Sequence, residues 1–142
     1  MSKDVYHELF VHVVWHTKDS RSLIQPAREQ ELHNYIRRRA VAPGGIFIHE
    51  IGGTDNHVHL VARVNPSLLL SEWIGKIKGG SSYDANHAEH APFALAWQSG
   101  YGLVTFGMKD LPWVIEYVQN QKQHHCKGTI AGRLELITDQ DG

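Results

Sequence analysis

The chain has 142 residues, 42% of them hydrophobic and 20% charged, with fourteen basic against fifteen acidic side chains for a net charge of −1. That balance suits one globular domain and excludes a disordered tail, a collagen-like fibre and a coiled-coil rod. No apolar run nears the roughly 20 residues of a membrane span, and no signal-peptide core follows Met1-Ser2-Lys3-Asp4.

Residues 5–16 set Leu9, Val11, Val13 and Trp15 against Glu8, Phe10, His12 and Val14, the alternation of a buried strand. Asp19-Ser20-Arg21-Ser22 turns the chain. Pro26 suits a first helical turn, and residues 27–40 read as a helix closed by Arg37-Arg38-Arg39 at the end that favours cations. Pro43-Gly44-Gly45 breaks it. Residues 46–51 and 57–64 form a hairpin around Gly52-Gly53-Thr54-Asp55-Asn56. A second helix starts at Asn65-Pro66-Ser67, carries Leu69, Leu70, Trp73, Ile74 and Ile77 near helical spacing, and ends at Lys78-Gly79-Gly80-Ser81-Ser82. Residues 84–92 are polar and read as a loop. Residues 93–97 and 102–106 are strands around Gln98-Ser99-Gly100, and 109–125 form a last helix. The order β-α-β-β-α-β, then a strand and a helix, predicts an α+β, ferredoxin-like fold: an antiparallel sheet with helices on one face. Residues 1–142 are one domain with its core at about 5–126; the tail, 127–142, carries no strong signal.

Cys126 is the only cysteine, so no internal disulfide forms and a reducing, cytosolic setting is expected. The near-neutral charge argues against non-specific DNA binding through many phosphate contacts, though not against a local basic patch. Eleven histidines, spread along the chain, raise the prospect of metal or phosphate chemistry.

The sharpest local feature is His57-Val58-His59. Strand side chains alternate, so both imidazoles share a face and can bind one divalent metal. Taken alone, the pair more often describes two polar residues on a solvated face. In the last helix, Leu111, Val114, Ile115 and Val118 make an apolar stripe, flanked by Tyr117, Gln121 and His124. A tyrosine there either packs its ring at a boundary or offers a nucleophilic hydroxyl. With a pKa of roughly 10 it needs an electrophile polarised by a metal. His57 and His59 supply two ligands, and Gln121, one turn from Tyr117, supplies a third. Open positions would remain for phosphate oxygens; Mg²⁺ prefers oxygen donors and imidazoles tilt the choice toward Mn²⁺.

Other candidates are weaker. His12 and His16 share one face of the first strand, opposite Trp15, and would lie near a substrate phosphate or cap a strand end. His124 and His125 would sit near the metal or serve as cations at a helix end. Lys78, Ser81 and Ser82 lie where a Gly-rich turn would let a DNA backbone approach. Lys122 and the arginine run are further phosphate contacts or a solvated face. Trp15, Trp73, Trp97 and Trp113 would stack bases or fill the core.

Five stretches, in order, resemble the single-tyrosine HUH transposases, small insertion-sequence enzymes that move single-stranded DNA. They are Phe10-Val-His-Val-Val-Trp-His-Thr-Lys18, Thr54-Asp-Asn-His-Val-His-Leu-Val61, Ile77-Lys-Gly-Gly-Ser-Ser82, Trp97-Gln-Ser-Gly-Tyr-Gly102 and Tyr117-Val-Gln-Asn-Gln-Lys-Gln-His-His125. The resemblance implies that His57 and His59 are the paired metal ligands, Gln121 the third, and Tyr117 the nucleophile that becomes linked to a DNA 5′ end. It implies a divalent metal, Mg²⁺ or Mn²⁺, a single-stranded DNA substrate with hairpin ends, and a homodimer in which the histidine pair of one subunit can face the tyrosine of the other. It implies no nucleotide cofactor, because transesterification conserves bond energy, and a prokaryotic cytoplasmic setting at the nucleoid. Two other readings are a single-stranded nucleic-acid-binding module that has lost catalysis, and a metallohydrolase in which Tyr117 is structural.

Overall fold

The computed structural model describes residues 5–137. Its strands are β1 (Phe10–His16), β2 (Phe47–Gly53), β3 (His57–Arg63) and β4 (Gly102–Phe106); its helices are α1 (Glu29–Val41), α2 (Leu70–Asn86), α3 (Leu111–Gln119) and α4 (Gln121–Lys127). The β-branched runs of β1 and β3 pair at the centre of a four-stranded antiparallel sheet of order β2-β3-β1-β4. The α+β class and the ferredoxin-like order β1-α1-β2-β3-α2-β4 are therefore as the sequence predicts.

Register sorts the side chains between two faces. His16 pairs with His57, Val14 with His59 and His12 with Val61, which puts all six on one face. Val11, Val13, Trp15, Val58, Leu60 and Ala62 take the other face, where α1 and α2 cover them with Leu32, Ile36, Trp73, Ile74 and Ile77. The histidine face is covered by α3, whose Val114, Tyr117 and Val118 pack on Val61. Helices on one face is thus corrected to helices on both: the last helix has its own apolar stripe and needs a second surface to bury it.

Several boundaries differ from the sequence reading. Residues 5–9 precede β1, and Leu9 is exposed. Residues 93–97, predicted as the fourth strand of the core, are not one, and Gly102–Phe106, predicted as an added strand, takes that place: only Trp97 bridges, to Thr17, while the Asn86 side chain bonds both the N–H and the C=O of Leu95. The second helix starts later, because Asn65 Oδ1 accepts from Ser67 N and Oγ and holds a turn there. It then continues to Asn86 through Gly79-Gly80-Ser81-Ser82. Gly80 leaves room there for the Arg39 side chain, whose Cδ would lie 2.6 Å from an added Cβ. The predicted last helix is two, broken at Asn120 (φ −108°, ψ 34°). Part of the tail is ordered: Gly132–Leu134 form a short turn of helix and Leu134 is buried against α3. Residues 138–142 of the predicted tail lie outside the described residues.

Candidate active site

On the histidine face, β3 presents His57 and His59 two residues apart, 2% and 0% exposed. Each ring is oriented by a neighbour. His57 Nδ1 lies 2.8 Å from Asn56 Oδ1 and 2.9 Å from Thr54 Oγ1, and the Thr54 hydroxyl donates to that same Asn56 oxygen. Nδ1 therefore faces two acceptors and carries the proton, so Nε2 is left as a lone pair. His59 Nδ1 lies 2.7 Å from His12 Nε2, and His59 Nε2 has no hydrogen-bond partner although it is fully buried. Burial drives the pKa of His57 down to about 4 and that of His12 down to about 3, and lowers that of His59 as well. All three rings are neutral at pH 7, the form that ligates metals.

Helices α3 and α4 complete the site. Tyr117 is 3% exposed and stands edge-on to His59, with ring centroids 5.9 Å apart. The break at Asn120 leaves Gln121 buried at the start of α4. Its Nε2 donates to Tyr117 O at 3.3 Å, which turns Oε1 toward His57 Nε2 at 3.0 Å. Two lone-pair atoms thus face each other beside the orphaned Nε2 of His59. Such a set fits a divalent cation, which would satisfy all three; the residues present suit the metal implied by the resemblance.

Two more residues join them, Glu135, which sequence reasoning missed, and His125, which it offered as a neighbour of the metal. Glu135, from the tail, places Oε1 3.4 Å from His59 Nε2 and 3.7 Å from His57 Nε2, and its Oε2 accepts from the Tyr117 hydroxyl. His125 Nε2 lies 3.4 Å from Glu135 Oε2. Ligand atoms of His57, His59, His125 and Glu135 all lie within 4.8 Å of one another. Burial acts to raise the Glu135 carboxyl, but the adjoining His59, Tyr117 hydroxyl and His57 together outweigh it and hold the pKa at about 2. Burial and the bond to Glu135 push the Tyr117 hydroxyl up to about 12. For His125 the sequence offered both a place near the metal and a helix-end cation, whereas no local spacing marks Glu135.

The remaining candidates divide. His12, 1% exposed, touches His59 and has no access to a phosphate, which corrects its reading as a DNA contact. His16 is half-buried and stacks on His57 at 5.1 Å between centroids. Lys122 lies beside the site on α4, but its ammonium is held by Glu29 at 2.7 Å and by Gly53 O at 3.2 Å. Lys78, Ser81 and Ser82 belong to α2, on the other side of the sheet. Lys78 Nζ donates to Gln98 O and Gly100 O at 2.8 Å each. Ser81 is fully buried, accepting from Trp97 Nε1, whereas the Ser82 side chain stays accessible. Trp15 and Trp73 are core; Trp113 is 43% exposed.

The chain matches the family model described as "Transposase IS200 like" over residues 5–121. No curated protein matches it. Among solved structures it is similar to a protein assigned as a transposase in Deinococcus radiodurans R1, at 18% identity and a TM-score of 0.65, covering 85% of this chain and 96% of that one. It is also similar to a REP-associated tyrosine transposase bound to a REP hairpin, at 15% identity and a TM-score of 0.64, covering 88% of this chain and 74% of that one. At those identities the likeness establishes the fold.

Proposed function

Because the chain belongs to the family of IS200-like transposases, we propose that it cleaves and rejoins single-stranded DNA near hairpin-bearing element ends through a 5′-phosphotyrosine on Tyr117. One observation carries the reading. The Tyr117 hydroxyl and the lone pairs of His57, His59 and Gln121 meet in one buried site, built by a single chain. Those three residues would hold a divalent cation, Mg²⁺ or Mn²⁺, which when bound supplies a Lewis acid for the phosphate and the leaving oxygen.

The chain's own residues then have defined tasks. Tyr117 Oη attacks phosphorus, a P–O bond to the tyrosine forms, and the P–O bond to the 3′ oxygen breaks. The 3′ oxygen leaves as a hydroxyl, so the tyrosine proton is accounted for. The reverse attack by another 3′ hydroxyl restores a phosphodiester and frees Tyr117, with no nucleotide consumed. Asn56 holds His57 in the tautomer that presents Nε2, and His12, bonded to His59 Nδ1, would do the same for His59 by accepting its proton. At rest Tyr117 keeps its proton, since its pKa stands near 12.

The hairpin held by one structural relative supports hairpin DNA as the ligand. The reading includes a homodimer, which light scattering checks. No helix among the described residues is long and apolar enough to cross a membrane.

The test mixes the protein with Mn²⁺ and labelled single strands from its own element ends. A denaturant-resistant protein–DNA adduct is expected, absent in Tyr117→Phe, with hairpin binding retained by that variant. An adduct in Tyr117→Phe at the parental rate overturns the nucleophile. Metal-dependent cleavage with no adduct points to a hydrolase instead.

A further inference from the structure

Glu135 lies beyond the 5–121 stretch that matches the family, yet it sits at the centre of the site. Its position is built. Leu134, next to it, is 1% exposed and packs with Val61, Val114 and Val118. Ala131 N donates to the Tyr117 hydroxyl at 3.0 Å, and Arg133 Nη2 donates to Thr105 O at 2.6 Å.

The distances around the carboxylate are informative. Oε1 stands 3.4 Å from His59 Nε2 and 3.7 Å from His57 Nε2. Both exceed the usual N–H···O range of about 2.7–3.2 Å, and His57 Nε2 offers no proton in the tautomer set by Asn56. Atoms bound to one cation at about 2.1 Å stand roughly 3.0 Å apart at octahedral angles and 3.4 Å at tetrahedral ones. The 3.4 Å separation from His59 matches co-ligands at tetrahedral angles and the 3.7 Å separation from His57 lies just beyond it, so Oε1 is spaced closer to a co-ligand than to a hydrogen-bond partner.

We infer that Glu135 is an exchangeable metal ligand: Oε1 joins Nε2 of His57 and His59 and Oε1 of Gln121, while Oε2 holds the Tyr117 hydroxyl, in the place a DNA phosphate takes during cleavage. The inference rests on the metal-dependent tyrosine reading above. A phosphate under attack must offer one oxygen to the cation and its phosphorus to Tyr117. The Glu135 carboxylate spans the same two groups, and two anions cannot share that place. DNA entry therefore displaces Glu135, and with it the segment around Leu134.

The test has two arms. In the first, the DNA-free full chain is titrated with Mn²⁺ by calorimetry, alongside Glu135→Ala and the near-isosteric Glu135→Gln, with folding matched by circular dichroism. Both variants should bind Mn²⁺ at least tenfold more weakly; an unchanged affinity in Glu135→Gln overturns the ligand role. In the second, adduct formation on single-stranded element ends is timed at Mn²⁺ saturating for each protein. With the DNA titrated, Glu135→Gln should reach half-maximal adduct at a lower strand concentration than the parent, since no carboxylate has to be displaced; an unchanged or higher concentration overturns exchange. If no protein forms adduct, the parent included, the transposase reading fails, while the Mn²⁺ arm still decides whether Glu135 is a ligand.

Discussion

His59 shows how much one side chain depends on its neighbour. Its Nδ1 is held at 2.7 Å by His12, and only that bond leaves Nε2 bare and aimed into the site. We predict that His12→Ala weakens divalent-metal affinity by roughly 10–100-fold without removing a ligand, the range found when such supporting bonds are lost. Calorimetry with Mn²⁺ checks it; unchanged affinity would mean that packing alone orients His59. His57→Ala and His59→Ala should each lower metal affinity and adduct yield together. A variant that kept its metal affinity would not be missing a ligand. The His-x-His spacing and Tyr117 were legible because a strand or helix period puts them on one face whatever surrounds them. The role of His12 was not, because its partner is 47 positions away and is set by strand register.

At the scale of elements, the site depends on how closely α3 seats on the sheet. Gly52 of β2 pairs with His59, and a Cβ added there would meet Val118 O at 2.0 Å. The obstacle is backbone, which cannot rotate aside. Gly52→Ala should therefore lift α3 and Tyr117 from the histidines and cost about 1–3 kcal/mol. Denaturant unfolding measures the loss, and adduct yield should fall with it; an unchanged midpoint would show that α3 adapts without cost. The sequence marks α3 by its stripe of Leu111, Val114, Ile115 and Val118. It does not mark the break at Asn120, since the pattern stays helical through Gln121 and His124. Nor did it place 93–97 correctly, where apolar alternation suggests a strand but an asparagine side chain takes the backbone groups that a ladder would use.

For the whole molecule, the sheet buries an apolar face and a histidine face at once. That second face makes stability depend on pH. His12 and His57 are held near pKa 3 and 4 by burial, and His33, also buried, near 4, against roughly 6.5 in the unfolded chain. Below pH 6.5 the unfolded state takes up protons that the folded state refuses, so stability is full above that pH and is lost as pH falls toward the folded values. The metal-free protein should therefore unfold at a lower temperature at pH 5 than at pH 7.5, by circular dichroism. An equal or higher Tm at pH 5 would mean that these rings are protonated in the folded state. Glu135, with its pKa near 2, adds a further loss only below about pH 4.5.

The sequence by itself determined the α+β order, the hairpin that carries His57 and His59, and the amphipathic helix that carries Tyr117. Each of these is a local period or turn preference, readable over a few residues. Only the tertiary structure decided that α3 covers the face opposite α1 and α2, that His12 serves His59, and that Glu135 and His125 enter the site. These depend on strand register and on buried apolar contacts, such as that of Leu134, between segments far apart in the chain. Local spacing carries no trace of such a meeting, because what brings the groups together is the burial of surfaces that exist only after the sheet has formed.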